Sequence, residues 1–250
     1  MKKLASKVAV VTGASKGIGA SVARHLAAEG ASVVVNYASD RAGAERTVAA
    51  IVAADGKAIA VGANLTREAE VTRLFDETRK AFGRVDILVN NAGIYAFDPL
   101  EQVTVEGYHR IHDTNVLGLL LTTRAALPLF PASGGSIINI GSGAVSLAPP
   151  TAAVYASSKA AVETITKVLA KELGPRQIRV NGVNPGTTAT EGYSAAGFAG
   201  SDFERQILAQ TPLGRVGQPD DIAPPVVFLA SDDARWITGD ILLVSGGVGM

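Results

Sequence analysis

Val8-Ala9-Val10-Val11-Thr12-Gly13-Ala14-Ser15-Lys16-Gly17-Ile18-Gly19 passes from an apolar run into a glycine-rich turn, and an Ala-rich stretch of helical periodicity then continues to Gly30. The order is strand, glycine loop, helix. Such a loop aims free backbone N–H groups and a helix N-terminus at whatever lies above it, and its glycines remove the side chains that would block a pyrophosphate. The spacing G-x-x-x-G-x-G departs by one residue, in its first interval, from the dinucleotide fingerprint G-x-G-x-x-G. A tight strand-to-helix turn with no ligand would read the same way, so the rest of the chain decides.

Further strand-like runs occupy Ser32–Tyr37, 58–62, Ile87–Asn90, 136–141, 178–184 and Ile241–Val244, with helical periodicity in most of the intervals. Strands apolar on both faces that alternate with helices of ten or more residues imply a parallel sheet covered on both sides by right-handed crossovers. The expected fold is α/β: a doubly wound, mostly parallel, seven-stranded Rossmann-type sheet forming one domain over residues 1–250. Ligands of such sheets bind beyond the carboxyl ends of the strands, where the glycine loop, Asn91, Ser142 and Gly186 all fall.

Tyr155 and Lys159 lie four residues apart in an apolar helical run, thirteen residues and more beyond Ser142. That interval puts phenol and ammonium on one helix face. An unperturbed phenol has a pKa of roughly 10, and a neighbouring positive charge lowers it. A phenol acid, a cation, a hydroxyl and a dinucleotide suit hydride transfer to a carbonyl, where growing negative charge on oxygen meets a proton and a hydrogen bond.

Five motifs in order carry a resemblance over essentially the whole chain: the loop Thr12 to Gly19, Asn90-Asn91-Ala92-Gly93, Asn115, the Ser142/Tyr155/Lys159 set, and Asn184-Pro185-Gly186. The chain resembles the short-chain dehydrogenase/reductase family. The resemblance implies that Tyr155 donates the proton in the reductive direction. Lys159 lowers its pKa and holds the nicotinamide ribose, Ser142 hydrogen-bonds the substrate oxygen, and Asn115 holds a water linking Lys159 to solvent. It also implies a cofactor cradle of Gly13, Ser15, Lys16, Gly17, Ile18, Gly19, Asn64, Leu65, Asn91, Ala92, Gly93, Pro185, Gly186, Thr188 and Thr190, with Tyr155 and Lys159.

Selectivity within that cradle is read at the end of the second strand, where an NAD-selecting fold places an acidic residue on the ribose. Here the strand ends Asn36-Tyr37 with no carboxylate, and Ser39, Arg41 and Lys16 are near enough to reach a 2′-phosphate. NADP(H) is therefore expected in preference to NAD, with Asp40 the dissenting residue. Tyr95, Phe97, Ala144, Leu147, Tyr193 and Phe198, with Ser142, are the candidate substrate pocket. Their largely apolar character favours a free ketone over a hexose.

Similarity extends to 3-oxoacyl-acyl-carrier-protein reductases, carbonyl reductases and sugar dehydrogenases. The carrier-protein type docks its acidic partner on two basic positions at the active-site mouth. These align with Ser133, which is not basic, and with Arg176. A redox sensor that binds NADP without turnover is the alternative of another class, and it would be expected to lack Tyr155 or Lys159. Residues 187–213, rich in small residues with Tyr193, Phe198 and Phe203 interspersed, show neither a strand nor a well-patterned core helix and suit a substrate lid. Pro224-Pro225 should bend the helix before the last strand, and Ser245 stands where relatives carry Asp.

Charge balances at 23 basic and 23 acidic residues, leaving no electrostatic footprint for nucleic acid. With no cysteine and three scattered histidines, metal chemistry is not expected. No apolar run reaches membrane-span length and the first residues lack a secretory pattern, so a cytoplasmic protein is expected. His25, His109 and His112 are assigned structural or surface roles, and Trp236 is expected to pack near the last strand or at a subunit contact. Apolar runs such as 116–121 fit the homotetramer that the resemblance implies.

Overall fold

The computed structural model describes residues 2–249, the side chain of Phe203 excepted. Seven strands form one sheet in the order β3-β2-β1-β4-β5-β6-β7, every neighbouring pair being parallel. They are β1 (Val8–Val11), β2 (Ser32–Tyr37), β3 (Lys57–Gly62), β4 (Ile87–Asn90), β5 (Gly135–Ile140), β6 (Ile178–Pro185) and β7 (Ile241–Val244). Four match the expected bounds; β3 and β6 differ by a residue at one end and β5 by a residue at each end, where fraying makes boundaries soft. The strand order reverses between β1 and β4, and the loops that follow those two strands part to open a crevice.

Both faces of the sheet are buried, as the unbroken apolar runs require. Ala9, Val11, Val33 and Val35 point to one side, into a core completed by α1 (Gly17–Ala28), α2 (Arg41–Ala53) and α10 (Pro219–Ala230). Val10, Val34, Leu88 and Val180 point to the other, against α3 (Glu68–Phe82), α5 (Gly118–Ala126) and α7 (Ala153–Leu173). Alternation within one strand thus feeds two cores. At the amino ends Asp86, 2% exposed, accepts from the Val8 N–H and from Arg84 Nε, each at 2.9 Å.

Helix α4 (Val105–His112) runs into α5 through a π-helical segment, Asp113–Leu117, which carries Asn115. Residues 187–213 include two short helices, α8 (Glu191–Ala195) and α9 (Asp202–Gln210). Side-chain caps start them: Thr190 Oγ1 accepts from Tyr193 N and Ser201 Oγ from Glu204 N. Helix α8 is too short to show an apolar stripe and α9 carries only Phe203, Ile207 and Leu208 at helical spacing, so the caps mark their starts more plainly than periodicity does. Helix α10 runs on through Pro224 and Pro225. A capping box at Gln218 and Asp221 starts it, and burial of Ile222, Ala223, Val226 and Val227 holds it despite the lost backbone donors.

Among the described residues no helix is long and apolar enough to cross a membrane, and no cluster of three or more His, Cys, Asp or Glu could hold a metal ion.

Candidate active site

Because all strands are parallel, the segments after β1, β4, β5 and β6 meet along one edge of the sheet. The glycine loop is clamped there by the segment after β4. Thr12 Oγ1 accepts from the N–H groups of Asn91 (2.9 Å) and Ala92 (3.0 Å), and Asn91 Nδ2 donates to the carbonyls of Thr12 (2.9 Å) and Gly13 (3.0 Å). Gly13 has φ +60°, and a Cβ on it would lie 2.8 Å from the Ala92 Cα. Gly17 is also left-handed, and a Cβ on Gly19 would lie 2.5 Å from the Gly13 carbonyl. Only glycine fits these positions.

Helix α1 opens over this loop. Lys16 precedes it in extended conformation with no side-chain cap, and no acidic residue stands in its first turn. Its free N–H groups and positive end therefore face the crevice, which is the donor set a pyrophosphate requires. A nicotinamide dinucleotide fits this cradle.

The second-strand tip is differently employed than its sequence suggests. Asn36, 1% exposed, accepts from Gly13 N (3.3 Å) and donates to the Val61 and Ala63 carbonyls (3.2 Å each), so it ties loop to sheet. The Tyr37 ring lies on Gly62. Asp40 is the N-cap of α2, its Oδ1 accepting from Gly43 N at 2.9 Å. Arg41 pairs with Glu45 at 2.7 Å on the surface, while Ser39 and Lys16 are exposed. Asn64 makes a local turn by accepting from Thr66, beside buried Leu65. Across the crevice, Gly186 N donates to the Val244 carbonyl at the end of Pro185-containing β6, Thr188 donates to the Gly186 carbonyl, and Thr190 packs on Gly17.

Ser142, Tyr155 and Lys159 come together from the end of β5 and the first turns of α7. Lys159 is 5% exposed and its Nζ donates to the Ile140 carbonyl at 2.9 Å. A Cβ on Gly93 would meet Lys159 Nζ at 3.2 Å and Asn115 Oδ1 at 3.3 Å, so Asn115 stands beside the ammonium. Asn115 itself is held at both ends: it accepts from Ile94 N (2.8 Å) and donates to the Ile94 carbonyl (2.9 Å) and Ser158 Oγ (3.0 Å). The π-helical turn that aims it here, like the roles of Thr12 and Ser158, escapes a motif reading.

Burial pulls Lys159 down to about 8, because a charged ammonium is poorly solvated there. Burial also raises the Tyr155 phenol above its ordinary value, with the Ser142 hydroxyl opposing the shift. The expected lowering of Tyr155 by Lys159 is not what this arrangement produces: desolvation prevails, and the ammonium is directed at a carbonyl. A phenol held in its protonated form is the form that donates.

Aromatic rings wall the mouth. Tyr95 and Phe97 lie 6.2 and 5.9 Å from the Tyr155 ring, Phe97 reaches Phe198 at 6.0 Å, and Phe198 meets Tyr193 at 5.6 Å. Short α6 (Ala144–Leu147) brings Ala144 and Leu147 beside α7. The two docking positions do not join this mouth. Ser133 and Arg176 precede β5 and β6, at the opposite end of the sheet, and the 21 residues of α7 put Arg176 roughly 30 Å from the cleft. Arg176 donates to the Leu127 carbonyl there. Trp236 is 98% exposed and so does not pack on the last strand within the chain. His112 stacks on Tyr108 and meets Ser157 on the α4–α7 surface, outside the catalytic set.

The family model described as enoyl-(acyl carrier protein) reductase matches residues 13–249. An uncharacterized oxidoreductase of Methylorubrum extorquens is 57% identical over 99% of this chain and 100% of its own length. A hydroxynaphthalene reductase-like protein of Metarhizium majus is 39% identical over 98% of this chain and 96% of its own. A solved short-chain dehydrogenase/reductase of Serratia marcescens is 36% identical and superposes with a TM-score of 0.93, covering 99% of this chain and 100% of that one. With its parallel doubly wound sheet, its glycine cradle and its Ser-Tyr-Lys cluster, the chain belongs to the short-chain dehydrogenase/reductase family of oxidoreductases.

Proposed function

We propose that this chain is an NADP(H)-dependent carbonyl reductase that converts an apolar, aryl-bearing ketone to a secondary alcohol. The observation that carries this reading is the aromatic wall of Tyr95, Phe97 and Phe198 set against the catalytic phenol. A carbonyl oxygen in reach of Tyr155 and Ser142 puts its substituents among those rings, where flat apolar groups gain edge-to-face contacts and a many-hydroxyl sugar loses hydrogen bonds. The name of the hydroxynaphthalene reductase-like relative points the same way.

In the proposed mechanism Ser142 donates to the substrate oxygen and orients it, while Tyr155, kept protonated by its burial, gives up its proton as charge grows on that oxygen. Lys159, its ammonium destabilised by burial, compensates the resulting phenolate and returns a proton to it, and that proton is replaced from solvent through a water held beside Asn115. The glycine loop, Asn91, Thr188 and Thr190 hold the nicotinamide dinucleotide, which supplies a hydride when bound. Residues 187–213 serve as the lid.

The NADP preference rests on the bare β2 tip and on Asp40, whose carboxylate is engaged as a helix cap. Arg41 and Glu45 form an exposed, solvent-screened pair, which a 2′-phosphate readily replaces. Self-association as a homotetramer is the proposed assembly, since Trp236, Phe228 and Leu242 near edge strand β7, and Leu117, Leu120 and Val168 on the α5–α7 side, remain exposed.

The test is NADPH and NADH oxidation measured against aryl ketones, β-keto esters, aliphatic ketones, hexoses and an acyl-carrier thioester. The expected result is the highest kcat/KM with NADPH and an aryl ketone or β-keto ester. A preference for NADH would overturn the cofactor reading, and a preference for the carrier-bound thioester the substrate reading.

A further inference from the structure

The start of α8 lies directly against the glycine loop. A Cβ on Gly17 would stand 3.2 Å from Thr190 Cγ2 and 3.6 Å from the carboxylate Oε2 of Glu191. Gly17 is the first residue of α1, whose opening turn has neither a side-chain cap nor an acid of its own. A negative charge in this position is the natural complement of a helix's positive end. Glu191 is exposed, is also the acid in the first turn of its own short helix α8, and makes no hydrogen bond or ion pair with the described residues. On its far side, the Tyr95 hydroxyl lies 3.1 Å from where a Gly192 Cβ would be. The first turn of the proposed lid is thereby seated between the loop after β1 and the loop after β4, with the Glu191 carboxylate beside Gly17.

We propose that Glu191 is a displaceable counter-anion of the cofactor site: its carboxylate competes with the dinucleotide's pyrophosphate for the positive end of α1, weakening cofactor binding and speeding cofactor release. This rests on the reading of the glycine loop as a dinucleotide seat. A carboxylate held beside a pyrophosphate, screened by water and salt, weakens binding about three- to tenfold. The sign is the unusual part, since a residue that touches a cofactor site ordinarily adds affinity. Lid motion and cofactor exchange become coupled, because lifting α8 withdraws the competing charge from the seat.

The test uses the full chain and its Glu191→Gln and Glu191→Asp variants, titrated with NADP+, NADPH and NAD+ in the absence of substrate. Glu191→Gln keeps the shape and removes only the charge. It is expected to tighten dinucleotide binding about three- to tenfold, to slow dissociation in stopped flow by a similar factor, and to lose most of that difference at about 1 M salt. Glu191→Asp should return toward the parent. Thermal melts add an independent sign: Glu191→Gln should lower Tm without nucleotide, as α1 loses its counter-charge, and raise it relative to the parent under saturating NADP+. Unchanged or weaker binding in Glu191→Gln, or a Tm lowered equally with and without nucleotide, would overturn the proposal and leave the dinucleotide reading standing. Failure of the parent protein to bind any of the three nucleotides would overturn both.

Discussion

Half-buried Tyr155 and buried Lys159 share one face of α7 but answer to desolvation in opposite directions, the phenol kept protonated and the ammonium eased toward neutrality. Tyr155→Phe removes only the hydroxyl, so kcat should fall about 10²- to 10⁴-fold while dinucleotide affinity, read by fluorescence titration, stays within a factor of a few. Retained turnover would remove Tyr155 from the proposed mechanism. Lys159 carries a stability signature as well. Its value is lowered to about 8 in the fold from 10.5, so between those pH values the unfolded chain binds the additional proton and stability rises with pH. Below about pH 8 the cost of burying the charge is fully present. Lys159→Met should therefore stabilise the fold at pH 7 by up to about 3 kcal/mol, less the lost hydrogen bond to Ile140, and that gain should dwindle toward pH 10.5. Urea midpoints of both proteins at pH 7 and pH 10 measure it, and an equal gain at both would contradict the assignment. The residue types and their spacing are legible in the chain; the direction of the shifts is not, because it depends on how much protein surrounds each group.

At the scale of elements, the join between the β1 and β4 loops decides whether the glycine cradle exists. Gly13→Ala adds a Cβ 2.8 Å from backbone that cannot swing away, at a residue with φ +60°. Gly83 is also left-handed, φ +82°, with nothing within 4 Å of its Cβ direction. Gly83→Ala should show only the backbone cost of about 1–2 kcal/mol, while Gly13→Ala should lose more stability and most of its dinucleotide affinity. Similar melts for the two variants would mean that the loops can part freely. Strands were legible because each is a short apolar run, buried on both faces at the centre of the sheet and partly exposed at the edge strands β3 and β7. The helices α8 and α9 were not, since α8 is a single capped turn and α9 has only three apolar residues at helical spacing, and α10 survives its two prolines through packing on α1 that no local rule contains.

For the whole molecule, the proposed assembly predicts a light-scattering mass near four times the 25.6 kDa of one chain. Trp236→Ala should shift that mass downward at low concentration, since a fully exposed Trp near an edge strand is the side chain with the most to gain from a partner. A parent protein that scatters as a monomer would count against the reading. The sequence by itself determined the class of fold, and it placed the glycine loop and the candidate Ser-Tyr-Lys set at one end of the sheet, because alternation, glycine spacing and one helical turn are properties of consecutive residues. Only the tertiary structure decided that Asn36 and Asp40 serve the scaffold, that Ser133 and Arg176 lie at the far end of the sheet from the cleft, and that Glu191 stands over Gly17. Those facts depend on which segments the parallel sheet brings side by side, and separation along the chain carries no record of distance across it.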